Sequence, residues 1–100
     1  MNYGLQLSYC QGASGNEATI ANNLISVKDD GITLSYSSNY YNVYYNTVKV
    51  RDQYPFKTHN GNQYLTIKNN IFSTESSSYA AFYSYYGITG LVSDYNDLHT

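Results

Sequence analysis

Four asparagines constrain this chain more than anything else in it. Asn23, Asn46, Asn70 and Asn96 each follow a short strand-like run, and each has an apolar residue two places on: Ile25, Val48, Phe72 and Leu98. Successive steps are 23, 24 and 26 residues. A period near two dozen residues is the mark of a stacked repeat, in which one unit cannot bury its apolar face without the next. Aligned on these asparagines, the chain divides into four windows: residues 4–30, 31–54, 55–79 and 80–100.

Each window opens with an alternating segment, the period-two signal of a strand. These are Leu5-Gln6-Leu7, Ile32-Thr33-Leu34, Phe56-Lys57-Thr58 and Ala81-Phe82-Tyr83. A second run ends at the repeated Asn: Ala18-Thr19-Ile20, Tyr41-Asn42-Val43, Leu65-Thr66-Ile67 and Leu91-Val92-Ser93. A third follows it in three windows, as Ile25-Ser26-Val27, Val48-Lys49-Val50 and Phe72 with Thr74. Gly, Ser and Asn cluster between the runs, and no window carries a helical pattern. Three strands per turn predict an all-β fold: a right-handed, single-stranded parallel β-helix of about four coils, filling residues 1–100 as one segment. The inward column is expected to contain Leu5, Leu7, Ile20, Ile25, Ile32, Leu34, Val43, Val48, Phe56, Ile67, Phe72, Phe82, Leu91 and Leu98. The repeated asparagines are expected to sit at a sharp bend, to take left-handed backbone angles there, and to stack as an amide ladder. Four coils also leave open strand edges. The expected neighbours are therefore further coils of a longer solenoid or end-to-end copies of this one.

Composition narrows the function classes. Of 100 residues, 14 are Tyr, only 12% are charged, and the formal net charge is −2. Such a chain is too aromatic and too weakly charged to suit disorder. Its five Lys and Arg, spread from Lys28 to Lys68, do not cluster in sequence as a nucleic-acid binder needs. No apolar run of about 18 residues is present to insert into a membrane. No secretory leader opens these residues, so an export signal would lie outside them. Cys10 is the lone cysteine, which rules out an intrachain disulfide and points to a small buried residue.

Three phrases carry a resemblance: Asp30-Gly31-Ile32-Thr33-Leu34, Ile67-Lys68-Asn69-Asn70-Ile71-Phe72 and Ser93-Asp94-Tyr95-Asn96-Asp97-Leu98. They resemble the right-handed parallel β-helix repeats of the pectate-lyase-like superfold, and the last is similar to a phrase of long repeat proteins exported to the bacterial cell surface. Nearly the whole chain is covered, the longer loop at residues 12–17 departing from it. The resemblance implies a secreted or cell-surface location and a structural or glycan-binding segment; the alternative is a fragment of a polysaccharide lyase or glycoside hydrolase. It names a fold and no single activity.

For the enzyme alternative, a lyase of that superfold needs a basic residue to abstract a proton, and Arg51, Lys57 and His59 are the available group. Asp52 is the one carboxylate near them, too few for a calcium site, so no metal or cofactor is expected. Glycoside hydrolysis needs two carboxylates about 5 to 9.5 Å apart. Asp29 with Asp30, and Asp94 with Asp97, read as turn formers instead, and His99 as a frayed end. For glycan contact, outward Tyr36, Tyr40, Tyr44, Tyr64, Tyr83, Tyr85 and Tyr86 offer flat rings with hydroxyl handles. Of these, Tyr36, Tyr40, Tyr44 and Tyr83 are the foremost candidates. The competing role for these rings is stacking between coils.

Overall fold

The structure, a computed structural model, describes residues 3–36, 39–59, 63–85 and 87–100. Twelve short strands follow in chain order: β1 Leu5–Ser8, β2 Ala18–Ala21, β3 Leu24–Val27, β4 Ile32–Ser35, β5 Tyr41–Tyr44, β6 Thr47–Val50, β7 Phe56–Thr58, β8 Leu65–Lys68, β9 Ile71–Thr74, β10 Phe82–Ser84, β11 Val92–Asp94 and β12 Asp97–His99. Every strand pairs in parallel with the strand three places along the chain. Three four-stranded sheets result: β1-β4-β7-β10, then β2-β5-β8-β11, then β3-β6-β9-β12. The molecule is a parallel β-solenoid of four coils, 35 Å along its longest axis and 23 Å across. No helix in the described residues is long and apolar enough to cross a membrane.

Register explains the core. Ile25, Val48, Phe72 and Leu98 stand in one file on the third sheet, and Ile20, Val43, Ile67 and Ser93 in another on the second. Leu34, Val43, Val48, Phe56, Ile67 and Phe72 are fully shielded from solvent. Phe56 stacks on Phe72 at 5.3 Å and meets Phe82 edge-on at 5.1 Å, so the inner faces of two sheets interlock. The close approach of coils is visible at Gly31, where a Cβ would overlap Val48 and the Pro55 carbonyl. Only a residue without a side chain fits there.

Several expectations need correction. Leu91 and Leu98 remain 40% and 50% exposed, because the fourth coil has a packing neighbour on one side only. Cys10 is exposed, its thiol turned to the Ser8 carbonyl at 3.4 Å; it follows the bend at Tyr9 and leads into the long loop instead of the core. The fourth window has a third strand after all, and His99 lies in it with Nε2 2.8 Å from Asp97 Oδ1. Asp97 is thus a strand residue, and Asp94 ends β11 while its carboxylate accepts from the Tyr95 amide at the bend that follows.

The bends are made by a different residue from the one expected. Positive φ falls on Asn22, Tyr45, Asn69 and Tyr95, each immediately before a ladder asparagine. The ladder residues themselves keep ordinary backbone angles, which leaves their side chains aimed into the stack. A second such column, Tyr40, Tyr64 and Gly90, marks the entry to the second sheet.

Candidate functional site

The asparagine ladder is the most completely satisfied polar feature of the molecule. Asn46 donates from its backbone N and its Nδ2 to Asn70 Oδ1, at 2.9 and 3.0 Å. Its Nδ2 also donates to the Ile20 carbonyl at 2.9 Å. Its own Oδ1 accepts from Asn23 N and Nδ2, at 3.1 and 2.9 Å. Asn70 repeats the pattern one coil on, donating to Asn96 Oδ1 at 3.0 and 2.9 Å and to the Val43 carbonyl at 2.8 Å. Asn46 and Asn70 are 1% exposed, so each amide stands where an unmet polar group would be costly.

The bend that leaves the first sheet carries an aromatic column. Tyr9 stacks on Tyr36 at 5.5 Å, Tyr36 on His59 at 6.4 Å, and His59 on Tyr85 at 5.9 Å. Tyr85 meets Tyr83 edge-on, Tyr83 stacks on Tyr54 at 4.6 Å, and Tyr54 meets Tyr79 edge-on at 4.8 Å. Beside this column Lys57 Nζ lies 2.7 Å from Asp30 Oδ2, with the carboxylate 6% and the lysine 16% exposed. Asp30 Oδ1 accepts from the Tyr54 amide, and Lys57 Nζ sits 5.7 Å from the centre of the Tyr54 ring. Burial pushes the Tyr54 phenol up, helped by Tyr83, Tyr79 and Asp30. Burial holds the His59 imidazole below its ordinary value, with the Lys57 charge adding to the effect and Asp30 opposing it. Thr33, in register with Lys57, is buried, and its hydroxyl alone among the described buried side-chain groups lacks a hydrogen-bond partner.

The three basic candidates, Arg51, Lys57 and His59, stand in different surroundings. Lys57 lies on β7 and His59 just past its end, near enough for the Lys57 charge to act on the imidazole, but Lys57 is held in the Asp30 ion pair. Arg51 sits past the end of β6, at the bend leaving the third sheet, with Nε 3.5 Å from Asp52 Oδ1. The glycan candidates divide three ways. Tyr36 belongs to the first-sheet column, and Tyr83 to the Tyr54 cluster that joins it. Tyr40 stacks on Tyr64 at 4.8 Å at the entry to the second sheet, and Tyr44 meets Tyr45 edge-on. Tyr86 lies outside the described residues. Tyr9, Tyr54 and Tyr79 went unforeseen because they sit in bends and loops, where strand alternation gives no direction for a side chain.

Among the described residues, no three His, Cys, Asp or Glu side chains gather where they could hold a metal ion. Comparison with protein-family models, with curated proteins and with solved structures finds no match to this chain.

Proposed function

We propose that this chain is a structural segment of a secreted or cell-surface protein, a stiff spacer of right-handed, pectate-lyase-like β-helix. The observation carrying this reading is the unbroken run of side-chain and backbone hydrogen bonds from Asn23 through Asn46 and Asn70 to Asn96. Every rung is tied to the next through a buried amide, along the axis in which a spacer bears force. Each interior amide donates onward and accepts from behind, so a further coil or a second copy meeting either end could extend the same pattern. Pulling the chain by its two ends tests this. A spacer gives way in discrete steps of one coil, each releasing about 80 Å for 24 residues of extended chain. Smooth extension at low force would contradict the reading.

A second reading, glycan contact, is favoured by the exposed aromatic column. Stacking covers most ring faces, so edges and hydroxyls are what that column offers a sugar. Titration with polysaccharides, followed by tyrosine fluorescence, checks it: binding weakened by Tyr36→Ala and Tyr85→Ala supports contact there, and binding unaffected by both removes it.

A further inference from the structure

The third sheet carries a cavity of about 330 Å³ at its bend, lined by Ser26, Lys28, Lys49, Arg51 and Glu75 together with Val27 and Val50. Three of the five Lys and Arg residues in a chain of net charge −2 therefore meet at one cleft. The fold, rather than the sequence order, gathers them. Ser26 is in register with Lys49, and the Arg51 amide donates to the Lys28 carbonyl at 3.3 Å, so the cations occupy neighbouring rungs. Lys28 and Lys49 enter no ion pair among the described residues, and Arg51 is engaged with Asp52 only through Nε at 3.5 Å, one of five guanidinium donors. Three cations against the single Glu75 carboxylate leave the cleft net positive, which favours an anion within it.

We propose that this cleft binds the carboxylate or sulfate groups of a polyanionic glycan. Oxyanions suit the donor set: a guanidinium fork, two ammonium groups and the Ser26 hydroxyl. The cleft extends over three coils, from Ser26 and Lys28 through Lys49 and Arg51 to Glu75. A rung spacing of about 4.8 Å is close to the length of one sugar residue, so a polymer lying along the axis presents neighbouring anionic groups to the first and second rungs, where Lys28, Lys49 and Arg51 stand. This site is separate from the aromatic column and does not depend on the spacer reading, so either can fail without the other.

The test is titration of the chain with dextran sulfate, polyuronate and inorganic sulfate, by calorimetry at low ionic strength. Expected are binding of one or both polymers, loss of roughly tenfold or more in affinity for Lys49→Gln/Arg51→Gln, and no loss for Lys68→Gln on the second sheet. Glu75→Gln, which removes the one carboxylate lining the cleft, should tighten binding, and added salt should weaken it. Unchanged thermal melts confirm that these surface variants fold. Binding of inorganic sulfate without either polymer would overturn the glycan assignment. Absence of binding, or equal losses for Lys68→Gln, would overturn the site itself.

Discussion

The side chain and backbone N of Asn46 together form five hydrogen bonds at a position almost closed to water. Asn46→Ala strands the Ile20 carbonyl and deprives Asn23 of its acceptor, at about 1–3 kcal/mol for each group left unmet. We expect a fall in Tm of about 10 °C or more, against a smaller one for Asn23→Ala, whose side chain lies nearer solvent. Tyr45 behaves oppositely. It is 62% exposed at φ 55°, and Asn22 and Asn69 fill the same bend in neighbouring coils. Tyr45→Asn should leave stability unchanged or raise it by up to about 1 kcal/mol, as urea unfolding would reveal. A large loss would mean that the ring, not the backbone, matters there. Thr33→Val removes the unpartnered buried hydroxyl and should stabilise by a similar amount. The spacing of the asparagines made the ladder legible in the sequence. The bending residue was not legible, because tyrosine takes the left-handed angle at Tyr45 and Tyr95 with no marker of composition.

Strands were legible wherever two apolar residues alternate, as in β4 or β8. They were missed at β12, where Leu98 is the one apolar residue between Asp97 and His99. The file of Ile25, Val48, Phe72 and Leu98 allows a graded test: Phe72→Ala should cost about 3–5 kcal/mol, and Leu98→Ala far less because it is already half exposed. Aromatic columns were only partly legible. Several of their members sit in bends, outside the alternating strands. His59 gives the first-sheet column a pH dependence. Its imidazole titrates lower in the fold than in the unfolded chain, so below the ordinary value of about 6.5 the unfolded state binds more protons. Stability should therefore fall as pH drops through 6.5 towards the depressed folded value, and the loss is complete below it. His59→Phe, which keeps a ring in the stack, should flatten that slope relative to wild type.

At the scale of the molecule, stability in a solenoid is shared between neighbours. Amides of the second and third coils, sandwiched on both sides, should exchange with deuterium more slowly than those of the first and fourth. Fold class was legible as a whole because the period repeats four times. The cationic cleft was not: Lys28, Lys49 and Arg51 look scattered until a coil's length of chain is wound between them. All of this rests on coils that run the same way and lie in register. The most direct check is the set of NMR contacts made by the Asn46 side-chain amide protons. The account predicts proximity to both Asn23 and Asn70, one coil away on either side, together with Val48 methyls touching Ile25 and the Phe72 ring. Contacts from Asn46 to residues a few places along the chain, as across a hairpin, with none to Asn23 or Asn70, would contradict it.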